Sequence, residues 1–271
     1  VSKQRTIYGK EAVNAVSLAH SFEKGAAFAV GFVRSNVRWL VHLAKAIFYQ
    51  HHQEIRPLLG NYIKPDSVVI DVGAHSGQFA KLFSRMAPEG QIYAFEPGKY
   101  PLSILNKVKT LCSLKNVEIV PFGLGAQKQN LTLKTPIKKS GSLGFGLAQI
   151  GENTSGGKFK TEEIGITSLD AFVKEFSLDR LDFIKADIEG FEYEMLRGAT
   201  ETLAKFKPAI MLEVSQIRLQ QIGANPDDIW DMLIPLGYKS ALIGNEGDMK
   251  FESSFSGDGD YIFVIGKEKG K

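Results

Sequence analysis

From residue 61 onward, apolar positions alternate between short β-branched runs and stretches with a helical repeat. Residues 67–72 (Ser-Val-Val-Ile-Asp-Val) form an apolar run long enough for a buried strand and too short for a helix. Gln78–Met86 then predicts a helix with Phe79, Leu82, Phe83 and Met86 on one face, stopped by Pro88-Glu-Gly90. Gln91–Phe95 predicts a second strand. Residues 100–114 predict a helix with Leu102, Leu105, Val108, Leu111 and Cys112 inward, and 117–121 a third strand. Residues 130–134 suggest another strand, whereas 138–160, rich in Gly, Ser and Lys, suggest a long loop. A helix is expected over 167–176, with Thr167 or Ser168 as its N-cap. A strand over 181–186, a helix over 192–205 and the strand Ala209–Val214 follow. A helix over 227–236 and strands over 237–243 and 261–265 complete the pattern. Such alternation predicts an α/β fold, a doubly wound and mostly parallel sheet with helices on both faces.

The first sixty residues read as a separate N-terminal helical extension, with the main domain over 61–271. Residues 26–49 are strongly apolar, interrupted by Arg34, Arg38, His42 and Lys45 at helical steps that set them on one narrow stripe. A helix with that much apolar circumference must be covered. Packing on the main domain or on the mate in a homodimer would cover it. The other reading is a helix lying on a membrane surface with its basic stripe toward the headgroups. His51-His52 is read as decorating a helix end.

The chain has 271 residues, 44% hydrophobic and 23% charged, which suits a globular domain with a sizeable core. A net charge of +3 is too mild to point to nucleic acid. The single cysteine, Cys112, excludes an intrachain disulfide and a multi-cysteine zinc site, and fits a reducing, cytoplasmic setting. No run reaches the roughly 18–20 apolar residues needed to span a bilayer, and no secretory signal pattern is seen. The expected location is therefore cytoplasmic, peripheral at the membrane if residues 26–49 bind there.

The chemistry is concentrated at predicted strand ends, where open parallel sheets bind ligands. Asp71-Val-Gly73-Ala74-His75-Ser76-Gly77 joins the first strand to its helix, and its glycines allow a sharp turn and close approach to a ligand. Dinucleotide sites use Gly-x-Gly-x-x-Gly to hold a pyrophosphate. Here an acid precedes the first glycine, which would repel a pyrophosphate but suits the cationic amino group of a methionine moiety. Glu96, followed by Pro97 at the end of the second strand, is placed to accept hydrogen bonds from ribose hydroxyls. Gly123 and Leu124, after the third strand, lie where an adenine would stack. After the fourth strand comes Lys185-Ala-Asp187-Ile-Glu189-Gly-Phe-Glu192, and Glu213 ends the fifth. The acids at the helix start also complement its dipole, and Glu213 alternatively pairs with a nearby Lys or Arg.

Together, Val-Ile-Asp71-Val-Gly-Ala-His-Ser-Gly77, Ala-Phe-Glu96-Pro, Thr167-Ser-Leu-Asp170 and Ile-Lys-Ala-Asp187-Ile-Glu-Gly-Phe-Glu192 closely resemble the FkbM family of methyltransferases. The resemblance runs over residues 62–243. It implies a class I methyltransferase fold, Rossmann-like with a seven-stranded sheet. The implied activity is O-methylation, often of sugars or secondary-metabolite hydroxyls, with S-adenosyl-L-methionine as donor. His75 stands where the family often has Asn, and both can hydrogen-bond.

Methyl transfer needs alignment of the acceptor and removal of its hydroxyl proton. Asp187 is the candidate base, with Glu189, Glu192 and Glu213 supporting it; Asp187 also borders the cofactor. The same acids could hold a divalent cation through oxygen ligands, although no spacing demands one. A small-molecule or glycan acceptor is expected, and residues 138–160 could close over it. Two other functions fit parts of the pattern. One is a non-catalytic module that binds S-adenosylmethionine and docks partners through its N-terminal helix. The other, an NAD(P)-dependent oxidoreductase, is opposed by the acid ahead of Gly73.

Overall fold

The computed structural model describes residues 37–137, 149–150, 158–244 and 246–266. The chain divides into two compact units, Val1–Lys45 and Ala46–Lys271. Of the helix expected over 26–49, residues 37–48 are helical (α1), and 26–36 lie outside the described residues. Val37, Leu40, Val41 and Phe48 of α1 are exposed.

The main unit begins at Ala46, earlier than the boundary expected near residue 60. Lys81, buried in the helix over residues 78–86, reaches back to the start of this unit. Its ammonium donates to the carbonyls of Ala46 (2.5 Å), Ile47 (3.2 Å) and Tyr49 (2.8 Å). Gln78 adds two bonds, accepting from Gln50 Nε2 at its carbonyl and from the His51 amide at its side chain. Residues 46–52 are thereby strapped to the helix N-terminus. A one-turn helix, α2 (Arg56–Leu59), leads into the sheet.

In chain order the next elements are β1 (Val68–Val72), α3 (Gln78–Met86), β2 (Gln91–Phe95), α4 (Lys99–Leu111) and β3 (Val117–Val120). Then follow β4 (Gly123–Leu124), β5 (Gln129–Pro136), β6 (Gln149–Ile150), β7 (Phe159–Thr167), α5 (Leu169–Glu175) and β8 (Phe183–Ala186). The last group is α6 (Glu192–Arg197), α7 (Thr200–Phe206), β9 (Ala209–Val214), α8 (Gln216–Gln221), α9 (Pro226–Leu233), β10 (Tyr238–Ile243), β11 (Met249–Glu252) and β12 (Gly259–Ile265).

The main sheet has the order β11-β10-β12-β9-β8-β1-β2-β3. Strands β9, β8, β1, β2 and β3 run parallel, and β12 enters antiparallel between β9 and β10. This is the doubly wound class I arrangement. The seven expected strands are present, and β11 adds an eighth at one edge. Strands β1, β2 and β8 are buried residue after residue rather than in alternation, as strands covered on both faces are.

Three local expectations are corrected. The stretch 138–160 contains β6 and the start of β7, although 138–148 and 151–157 lie outside the described residues. Strand β7 joins β4, β5 and β6 in a second, four-stranded sheet. The charged Lys160, Glu162 and Glu163 hid it, because β7 gives only Ile164 and Ile166 to that sheet's small core. Since β7 runs through Thr167, Ser168 alone caps α5, accepting from the Ala171 amide at 3.2 Å.

The helix expected over 192–205 is two helices. They break at Gly198, where a Cβ would run into the Gly125 carbonyl oxygen. Asp170 restarts the second by accepting from the amides of Glu201 (3.1 Å) and Thr202 (2.8 Å). The helix expected over 227–236 ends at Leu233 and tightens into a 3₁₀ turn, Ile234–Leu236.

Candidate active site

The turn after β1 is set by two glycines in the left-handed region. Gly73 has φ +74°, and a Cβ there would collide with the Asp187 carbonyl oxygen, so the first and fourth strand ends can touch only through a glycine. Gly77 has φ +88° and starts α3, with Leu105 packed 2.8 Å from where its Cβ would stand. Between them, the amides of Gly73 and Ala74 donate to the Phe95 carbonyl at 3.0 and 2.9 Å, pinning the turn to β2.

Glu96 is held where β2 ends. Its Oε2 accepts from the His75 amide and its Oε1 from the Gly98 amide, each at 2.8 Å. Burial pushes its carboxyl up to about 7, against the pull of those two amides. Gly73, His75, Glu96, Pro97, Gly123 and Leu124 line one cleft, which Asp187 and Glu189 continue. Leu133, Thr135, Ile150 and Glu162 of the second sheet form a further wall. Ala74, Ser76 and Gly77 shape the turn without lining the cleft.

Asp71 is placed differently from its expected role. It is fully buried, absent from the cleft lining, and faces the ammonium of Lys185 at 3.7 Å. Lys185 pairs with it in register across β1 and β8, so the two side chains share a face of the sheet. Neither Asp71 oxygen accepts a hydrogen bond among the described residues. Burial raises its carboxyl to about 6, and Lys185 limits the rise. The ammonium also stands 3.6 Å from Asp187, 3.5 Å from the carbonyls of Val72 and Gly73, and 4.9 Å from the Phe79 ring centroid.

Oxygens of Asp187, Glu189 and Glu213 lie within 4.8 Å of one another. Arg218 of α8 reaches Glu189 at 2.6 Å and Glu213 at 2.7 Å, so Glu213 does make the salt bridge foreseen as its alternative. Burial, then the neighbouring Asp187, pushes Glu213 up to about 8, while Arg218 opposes the rise. Burial works against ionisation of Asp187 too. Lys185, a hydrogen bond from Glu213 and Arg218 together nevertheless hold Asp187 below the usual carboxylate range. Glu189 rises to about 7, chiefly through burial. Its φ of +59° is unusual for a residue with a side chain. The neighbouring Gly190 packs so tightly on the Arg218 backbone that a Cβ there would come within 2.7 Å of it.

A model of the methyltransferase FkbM domain matches residues 71–240. The chain belongs to the FkbM methyltransferase family. Methyltransferase 1 of Beauveria bassiana is 26% identical over 171 residues, 57% of this chain and 65% of that protein. The 2-O-methyltransferase NoeI of Sinorhizobium fredii is 25% identical over 166 residues, again 57% and 65%. The chain thus spans a little under two thirds of the length of these relatives. Among solved structures, the methyltransferase FkbM of Methylobacillus flagellatus has a TM-score of 0.49 at 13% identity, over 85% of this chain and 60% of that one.

Within the FkbM-matched region, Glu192 stands apart from the other acids. It is buried beneath the cleft, where Oε1 accepts from the amides of Ile188 (2.9 Å) and Gly190 (3.3 Å) and so braces the turn that carries Glu189. Lys185, although part of the quoted motif, was given no role by the sequence, nor were Arg218 and the second-sheet wall. A strand's period of two would have found Lys185, which shares a face with Asp187. His52 is also better placed than a helix-end decoration: its ring stacks on Phe79 at 4.4 Å. Burial, aided by Lys185 and His51, keeps that imidazole below its usual value despite Glu54 and Asp187.

Proposed function

We propose that this chain transfers a methyl group from S-adenosylmethionine to a hydroxyl of a small-molecule or glycan acceptor. The observation that carries the reading is Glu96, a carboxylate fixed by two backbone amides in the same cleft as Gly73 and Asp187. A carboxylate so fixed suits a ribose diol, and the apolar Pro97, Gly123 and Leu124 beyond it suit a flat base. Bound there, the donor supplies an activated methyl group. Asp187, ionised and at the cleft's other end, accepts the acceptor's proton, while Glu213 and Arg218 fix its direction. The printed name of the relative NoeI, a 2-O-methyltransferase, supports oxygen as the target atom.

Thermal shift tests the cofactor directly: S-adenosylhomocysteine should raise Tm and NAD should not. The reverse result would replace the methyltransferase with the oxidoreductase. Catalysis is tested by Asp187→Asn, which should lower methyl transfer by about a hundredfold while S-adenosylhomocysteine still binds. Transfer at the wild-type rate would refute the assignment of the base.

The guanidinium of Arg218 already bridges Glu189 and Glu213 where a divalent cation would sit. Transfer is therefore expected to survive chelation by EDTA. A cytoplasmic, membrane-peripheral location is part of the same proposal. No helix among the described residues is long and apolar enough to cross a membrane, and the exposed apolar side of α1 supports surface contact. Failure to co-sediment with anionic vesicles would leave a homodimer contact as the occupant of that side.

A further inference from the structure

We propose that the Asp187–Glu213 pair holds one shared proton before the donor binds, releases it to solvent when the positively charged donor is bound, and takes the acceptor's hydroxyl proton during transfer. This rests on reading the cleft as an S-adenosylmethionine site.

The argument begins with charge. Asp71 reaches this region from β1, Asp187 and Glu189 from the end of β8, Glu213 from β9, and Asp260 from β12 in register with Glu213. Two cations answer them: Lys185 faces Asp71 and Asp187, and Arg218 faces Glu189 and Glu213. His52, from the strap, is held toward its neutral form and adds little. Asp71 is fully buried with no hydrogen bond among the described residues, so the excess of acids is not relieved locally.

Surplus negative charge at low dielectric is costly, and the cluster relieves it by binding protons or a cation. Among its acids, the Asp187–Glu213 pair is where a proton does most good, because their oxygens lie within 4.8 Å of each other and Glu189, the third of the group, is already paired with Arg218 at 2.6 Å. The elevated Glu213 and depressed Asp187 agree with that division. Asp187 and Glu189 also line the cleft that contains Gly73 and Glu96. Gly73 and Asp187 touch through their backbones, so a donor running from Glu96 along Gly73 brings its cationic centre to this pair.

Atoms and charge then balance. The carbon–sulfur bond breaks with its electron pair left on sulfur, the acceptor oxygen bonds the methyl, and the hydroxyl proton passes to Asp187–Glu213. The site loses one cation and gains one proton, so its total charge is unchanged across transfer. The pair returns protonated, which disfavours a cation and suits the neutral product.

Calorimetry of the full chain with S-adenosylmethionine and with S-adenosylhomocysteine tests this without any acceptor. At about pH 6.5, titrations in buffers of different ionisation heat should show the sulfonium ligand releasing about one proton more than the thioether. Affinity for S-adenosylmethionine relative to S-adenosylhomocysteine should rise by about tenfold on going to about pH 8.5. Glu213→Gln should remove most of that rise. A ratio that is flat in the wild type, equal proton release by both ligands, or a rise that persists in Glu213→Gln would each overturn the proposal. Binding of neither ligand would overturn the cofactor reading itself, and this inference with it.

Discussion

Replacing Lys185 by Met should destabilise the domain by an amount that grows with pH. Lys185 is the cation facing Asp71, whose carboxyl is fully buried and accepts no hydrogen bond among the described residues. With Lys185 present, burial raises that carboxyl to about 6, against about 3.9 in an unfolded chain. A carboxyl with a raised folded value opposes folding, and its cost grows as pH climbs from the unfolded value to the folded one. In the wild type the cost levels off near pH 6 at about 3 kcal/mol. Without the ammonium, the folded value should pass about 8, as documented for unpaired buried carboxyls. The extra loss is then small at about pH 6 and larger by about 2 kcal/mol at about pH 8. Unpairing Asp187 at the same time acts in the same direction. Urea unfolding followed by circular dichroism at the two pH values measures this. Adding Asp71→Asn to Lys185→Met should recover most of the pH-dependent part, because the amide carries no charge to strand. A loss independent of pH, or a second substitution that deepens it, would refute the account of Asp71 and Lys185 as a charge pair.

Gly73→Ala should weaken S-adenosylhomocysteine binding by at least about tenfold and lower Tm, because a Cβ at φ +74° meets the Asp187 carbonyl; unchanged calorimetric affinity would count against the turn's role. Glu96→Gln should cost about 1.5–3 kcal/mol of cofactor affinity, the range for a hydrogen bond to a charged group. In the wild type, with Glu96 at about 7, affinity should fall as pH drops through that value and the carboxylate protonates; a flat profile between about pH 6 and pH 8 would contradict this. Glu192→Ala should free the amides of Ile188 and Gly190, costing about 1–3 kcal/mol. Hydrogen exchange should speed up at the 188–190 turn and leave β1 unaffected.

Much of the fold was legible because its strands are covered on both faces. Continuous apolar runs such as Gln91–Phe95 and Ala209–Val214 have bounds that sequence pattern alone locates. The second sheet was not legible for the opposite reason. Its strand β7 offers only Ile164 and Ile166 to a three-residue core, and a run of charge precedes them. For the site, the order of the motifs brought out Glu96, Asp187 and Glu189, which line one cleft. Asp71 and Glu192, read from the sequence as part of the same site, have carboxyls that face a buried ammonium and two backbone amides. Sequence order marks which acids gather at a strand end. Which of them face solvent depends on partners such as Lys185 and Arg218, brought in from other elements.

The place of β12 has a consequence for synthesis. Although late in the chain, it lies inside the sheet, antiparallel between β9 and β10. A chain emerging from the ribosome can therefore pair β1, β2, β3, β8 and β9 well before it can seat β10. Until Gly259–Ile265 is released, β9 presents an open hydrogen-bonding edge beside an apolar face, a template for pairing with another chain. Slow translation or stalling near residue 250 should thus prolong the exposure of that edge.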